Sequence, residues 1–116
     1  MAPLVAKPIQ GSFGIELRVV ELGPVKVNPL TADYPDCLII HKYEDTQNPG
    51  RIFYVEHFLF EGRRFSPASN FRVGDVYYLQ IKPRDPELSN ITSISEVLGI
   101  DFDATVYTEV SATLID

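Results

Sequence analysis

Three short runs of β-branched and aromatic residues, separated by segments built to turn, constrain this chain more than any other feature. They are Cys37-Leu38-Ile39-Ile40-His41-Lys42-Tyr43, Ile52-Phe53-Tyr54-Val55-Glu56-His57-Phe58-Leu59-Phe60 and Val76-Tyr77-Tyr78-Leu79-Gln80-Ile81-Lys82. Such residues suit a pleated, half-buried surface, and none of the runs shows a helical period. Between them stand Asn48-Pro49-Gly50, Glu61-Gly62-Arg63-Arg64 and Ser66-Pro67-Ala68-Ser69-Asn70, all turn or breaker sequences.

The flanks extend the same pattern. Phe13, Ile15, Leu17 and Val19 alternate with Glu16 and Arg18, which predicts a half-buried strand from Phe13 to Glu21, stopped at Gly23-Pro24. Residues 1–12, with Pro3, Pro8 and Gly11, read as an extended lead-in to one β domain over 13–116. The prolines of 25–36 predict a long irregular connection able to line a site. Cys37 to Ile40 is apolar at every position, which places that strand centrally. Gly62 supplies a positive φ at a hairpin tip. Ser93 and Glu96 match a capping box and Gly99 a stop, predicting one short helix at about 94–98. The tail from Ala104 to Ile115 returns to β character and is expected to pair with the first or an edge strand. The sum is all-β: a small antiparallel barrel, OB-like, or a sandwich, of five to seven strands with one short helix.

Composition bounds the function. A chain of 116 residues with 45% hydrophobic content suits one core. Sixteen acids against ten bases give a net charge of −6, which weakens attraction to phosphate backbones and anionic lipid. Nucleic acid is therefore disfavoured as a partner. No run approaches the roughly 20 apolar residues of a membrane-spanning helix. A single cysteine, Cys37, excludes an internal disulfide, and its apolar setting predicts a buried, inert thiol. The start lacks the pattern of a signal peptide, so a complete chain is expected in the cytoplasm; a fragment of a surface-polysaccharide enzyme would be extracytoplasmic.

Candidate chemistry is thin. One Cys and two His, His41 and His57, need a carboxylate such as Glu56 or Asp36 to make a zinc site; each His is better read as a partly buried polar residue with a backbone or carboxylate partner. A triad of Cys37, His57 and an acid lacks any oxyanion element. Asp101 and Asp103 around Phe102 suit turn caps better than a calcium corner. No catalytic residue, metal or cofactor is expected. The aromatics Tyr54, Tyr77, Tyr78, Phe58 and Phe71, with Arg51, Arg63, Arg64, Arg72, Lys82 and Arg84 near them, suit a sugar platform, a nucleic-acid barrel, or simply the core. A surface of Tyr54, His57, Arg72 and Tyr78 is the expected binding site.

Tyr34-Pro35-Asp36-Cys37-Leu38, then Gly50-Arg51-Ile52-Phe53-Tyr54-Val55, then Val73-Gly74-Asp75-Val76-Tyr77-Tyr78-Leu79, resembles in order the β accessory segment of alginate O-acetyltransferase-type SGNH-hydrolase proteins. The resemblance spans Tyr34 to Leu79 and implies a noncatalytic module that handles cell-surface polysaccharide. The chain lacks that family's G-D-S block and D-x-x-H pair, so no acyl transfer is implied. The expectation is a noncatalytic binding or accessory module for polysaccharide. Its alternatives are a single-stranded nucleic-acid-binding barrel using the Arg63-Arg64 tip, and an oligomeric subunit assembled through strand edges or another protein partner.

Overall fold

A computed structural model describes residues 11–100 and 104–116; Asp101, Asp103 and nearly all of the predicted lead-in lie outside the described residues. Among the described residues seven strands form: β1 (Phe13–Glu21), β2 (Cys37–Asp45), β3 (Ile52–Glu61), β4 (Arg64–Phe65), β5 (Val76–Pro83), β6 (Ser93–Ile94) and β7 (Val106–Leu114). The expected strands at 13–21, 37–43, 51–60, 76–82 and in the tail are all present, with ends shifted by two residues or fewer in the first four.

Five of these strands close a barrel in the order β1–β2–β3–β7–β5 and back to β1. β1, β2 and β3 form an antiparallel meander; β7 then joins β3 in parallel, Tyr54↔Val106 to Glu56↔Thr108, and β5 antiparallel. The fold is the OB-like barrel rather than the sandwich, and closure removes most sheet edges. The tail strand pairs with β5 and β3, not with β1. β2 is central as its apolar run requires, bonded to both β1 and β3.

Side-chain parity builds the interior. Leu17 and Val19 of β1, Tyr43 of β2, Phe53 and Val55 of β3, and Tyr77, Leu79 and Ile81 of β5 meet in one cluster. The 3-10 turn Pro67–Asn70 plugs one end, bringing Ala68 and Phe71 into that cluster, where Phe71 stacks on Tyr77 with ring centroids 4.0 Å apart. A second cluster of Cys37, Ile39, Leu59, Phe60 and Ile94 seals the other end of β2 against Val27, Ala32 and Tyr34 of the β1–β2 connection.

Two turns explain the local geometry. Gly62 and Arg63 both take positive φ, 55° and 66°, between the paired Glu61 and Arg64, so the two-residue tip matches the twist of its strands. Arg63, a non-glycine in this region, is held by its guanidinium, which donates to the carbonyls of Pro29 and Ala32 at 2.9 and 2.8 Å. The predicted helix at 94–98 does not form. Ser93 and Ile94 instead make β6, parallel to Leu38 and Ile39. Both capping-box side chains are engaged elsewhere: the Ser93 hydroxyl donates to Glu56, and Glu96 pairs with Lys26. The short helices among the described residues are the 3-10 turns Pro67–Asn70 and Pro86–Asn90, each opened by a proline. Among the described residues no helix is long and apolar enough to cross a membrane.

Candidate functional site

The outer face of β2 and β3 is largely covered. Register puts Leu38 opposite Phe58, Ile40 opposite Glu56 and Lys42 opposite Tyr54, on the side away from the barrel core. Residues 93–98 lie across this face. Ser93 bonds Glu56, the Tyr54 hydroxyl donates to the Leu98 carbonyl at 3.2 Å, and the Leu98 N–H donates to Glu21 at 2.9 Å. Lys26 and Glu96 add an exposed ion pair.

Beneath that crossing is a cleft of about 570 Å³, lined by Ile40, Glu56, Arg84, Ser93, Ser95, Ile100, Ala104 and Val106. Its volume lies in the range typical of small-ligand sites. Glu56 stands at the centre of the polar part, its side chain fully buried. Arg84 Nε donates to Glu56 Oε1 at 2.7 Å and Nη2 to Oε2 at 3.4 Å, while Ser93 Oγ donates to Oε2 at 2.5 Å. A buried carboxylate needs such partners, because an unpaired charge away from water is expensive. The Glu56 hydrogen bond also raises the Arg84 pKa, fixing its positive charge. Guanidinium has five N–H donors, so this side-on grip leaves three for another acceptor.

A second, smaller cleft of about 240 Å³ opens where β3 and β7 part, with His57, Glu109, Ser66, Thr108 and Leu88 among its lining. His57 Nδ1 lies 2.6 Å from Glu109 Oε1, and its Nε2 lies 2.6 Å from the Tyr43 hydroxyl. Burial, then the nearby Glu109 charge, holds the Tyr43 hydroxyl well above its ordinary pKa, so it donates to Nε2 and the Nδ1–H points at the carboxylate. His41 packs 5.2 Å away, ring to ring. It accepts from Gly23 N–H at Nδ1 (3.0 Å) and faces the Ala68 carbonyl with Nε2 (3.0 Å). Burial, with a smaller electrostatic contribution from the adjacent His57 ring, lowers its pKa to about 4, so it is neutral and donates to Ala68.

The four residues expected to form one surface are dispersed. Tyr54 is half-buried on the covered face, its hydroxyl on Leu98. His57 points into the barrel. Arg72 lies exposed in the turn before β5, its N–H on Asp75. Tyr78 of β5, 47% exposed, lies over Gly14 of β1. Through β7, Tyr54 is level with Val106 and Tyr78 with Thr113, roughly 23 Å apart along the strand. Of the other aromatics, Phe71 and Tyr77 belong to the core. The Arg63 head is committed to loop carbonyls, Asp36 accepts from Gly62 N–H, and Cys37 is fully buried with its thiol pKa raised by burial. Among the described residues no group of three His, Cys, Asp or Glu is placed to hold a metal ion.

In the sequence Arg84 stands out only as one of several cations near the aromatics, Ser93 only as a helix cap and Glu56 only as a metal donor. The available signal was Glu56 itself, an acid on the parity of Tyr54 and Phe58 in an otherwise aromatic strand, which must find a buried cation or donor. The fold and cleft define the class: a small all-β barrel protein with a cleft on the outer face of its β2–β3–β7 wall. No family model, curated protein or solved structure matches the chain.

Proposed function

We propose that this barrel is a noncatalytic binding module whose outer cleft takes a segment of polysaccharide. One observation carries the reading: a fully buried Glu56 carboxylate, held by the part-exposed Arg84 and by Ser93, forms the polar floor of a cleft walled by Ile40, Ile100, Ala104 and Val106. Apolar walls suit the C–H faces of a sugar ring, and the remaining Arg84 donors with the Ser93 and Ser95 hydroxyls suit its oxygens. The position also fits, since barrels of this connectivity bind oligosaccharides and oligonucleotides on the face of strands 2 and 3. The resemblance of Tyr34–Leu79 to a polysaccharide-handling accessory segment supports the same class. Both Glu56 oxygens are held by Arg84 and Ser93, which favours a positioning role over acid–base chemistry.

Single-stranded nucleic acid is the weaker occupant. The chain carries −6, the Arg63 tip is occupied, and the aromatics that would stack bases are divided between the core and well-separated outer positions. Titration of the isotope-labelled protein with neutral and acidic oligosaccharides, and with a short single-stranded DNA, at physiological salt is the test. Amide shifts at Ile40, Glu56, Ser93 and Val106 with a sugar alone are expected. Shifts there with DNA alone, falling steeply with added salt, or silence with every sugar, overturn the proposal.

A further inference from the structure

β7 has two edges, and only one is used along its full length. Its β5 edge is bonded from Tyr107 to Leu114, but its β3 edge is paired only from Val106 to Thr108. From Glu109 to Leu114 no other strand among the described residues lies against it. The side chains there are open: Val110 is 38% and Leu114 60% exposed, with Ile115 half-exposed beyond them.

Edge strands in soluble proteins are ordinarily blunted by lysine, proline, bulges or cover. This one has few of those devices. From Ala104 to Asp116 there is no Lys, Arg or Pro. The shift opposite Gln80 and Ile81 places a bulge at Val110, leaving Ser111 to Leu114 regular. The sole acid within the free stretch, Glu109, is turned to His57.

We infer that this edge is the contact between two copies of the chain, joined antiparallel about a two-fold axis at Ala112. That register opposes Val110 to Leu114 of the second copy and Ser111 to Thr113, each twice by symmetry. Apolar residues then face apolar ones and hydroxyls face hydroxyls, both favourable cross-strand pairs. Glu109 faces Ile115 and Asp116 faces Thr108, so no like charges meet. The pairing is isologous and closed, which caps the edge rather than propagating it. The outer cleft borders β7 at Val106, before the free stretch begins, so the contact leaves it open.

The test is solution mass by light scattering and sedimentation across a concentration series, for the wild type and two charge variants. Wild type is expected at twice the 13.0 kDa chain mass at high concentration. Ser111→Lys/Thr113→Lys sets lysines opposite lysines and is expected to weaken association by at least roughly 100-fold, as like charges across an interface cost several kcal/mol. Ser111→Glu/Thr113→Glu does the same alone, and mixing the two variants restores a dimer containing one of each. Both positions are exposed, so circular dichroism should show the wild-type fold. A wild type monomeric at every concentration, a folded lysine variant that still dimerises, or a mixture that fails to pair overturns the inference.

Discussion

His57 Nδ1 meets Glu109 Oε1 at 2.6 Å one residue beyond Glu56↔Thr108, the last rung of the parallel β3–β7 ladder. A side-chain bond thus takes over where the backbone bonds stop. It bridges the seam between the two strands, and the Tyr43 hydroxyl on Nε2 anchors the same ring to β2. Three barrel strands are tied through one imidazole. The ring is fully buried, so each of its nitrogens depends on these partners for satisfaction.

Removing either partner leaves a buried imidazole nitrogen unpaired. Tyr43→Phe and Glu109→Ala are each expected to lower unfolding stability by about 1–3 kcal/mol, the usual cost of an orphaned buried polar group. Because both act through one ring, the double variant should depart from additivity by at least about 0.5 kcal/mol. Urea denaturation of the four proteins in the cycle measures this. Strict additivity would show that the three side chains do not work as one unit.

Acid should unfold this protein through His41. Its pKa is about 4 in the fold against 6.5 for the free side chain, chiefly because burial penalises the charged ring. Between those values the unfolded chain binds the proton and the folded one does not, so stability falls as pH drops from 6.5 towards 4. The contribution lost amounts to about 3 kcal/mol by pH 4. His41→Phe should flatten the pH dependence of stability in that window, while costing stability at pH 7 through the lost Gly23 and Ala68 bonds. An unchanged slope in denaturation measured from pH 7 to pH 4 would remove His41 as its source.

The strands were legible because their signal is local. Alternation at Phe13–Val19 and the continuous apolar run at Cys37–Ile40 depend on the neighbouring residues alone, and the tip at Gly62 on turn chemistry alone. The helix reading at 94–98 failed for the opposite reason. A capping box stabilises by about 1 kcal/mol, and the buried Glu56 carboxylate outbids it for the Ser93 hydroxyl from 37 residues away in sequence. Which residues come together on one surface was illegible on the same ground. Parity along β3 separates Tyr54 from His57, but only barrel closure decides that Tyr78 stands at the far end of β7 from Tyr54.

Gly23 is a close-approach glycine with an ordinary φ. A Cβ there would lie 2.6 Å from Ile39 Cγ1 and 2.7 Å from the Ile40 carbonyl oxygen, and its N–H reaches His41. The side chain of Ile39 could turn, but a backbone oxygen in a central strand cannot. Gly23→Ala is therefore expected to cost about 1–3 kcal/mol, the usual range for overpacking, and to shift the amide resonances of Ile40 and His41. Gly50→Ala offers the contrast, since nothing lies within 4 Å of its Cβ position and only its φ of 102° opposes the change. Thermal denaturation of Gly23→Ala within 1 °C of wild type would refute the close packing of this loop on β2.

Glu56 and Arg84 are unequal partners, and the inequality fixes which variant should do more harm. The carboxylate side chain is fully buried, whereas the Arg84 side chain is 38% exposed. Arg84→Met takes the cation away and leaves the acid buried with only Ser93, so a loss on the order of 2 kcal/mol is expected; partial exposure keeps it below the 3–5 kcal/mol of fully buried pairs. Glu56→Gln instead removes the charge that needed compensation, keeps an oxygen for Arg84 and Ser93, and frees a guanidinium that can reach water. It should cost no more than about 1 kcal/mol. Parallel urea titrations at pH 7 separate the two. If Glu56→Gln proves the more damaging, the carboxylate contributes through its charge to something other than Arg84, and the cleft floor would have to be rebuilt around that partner.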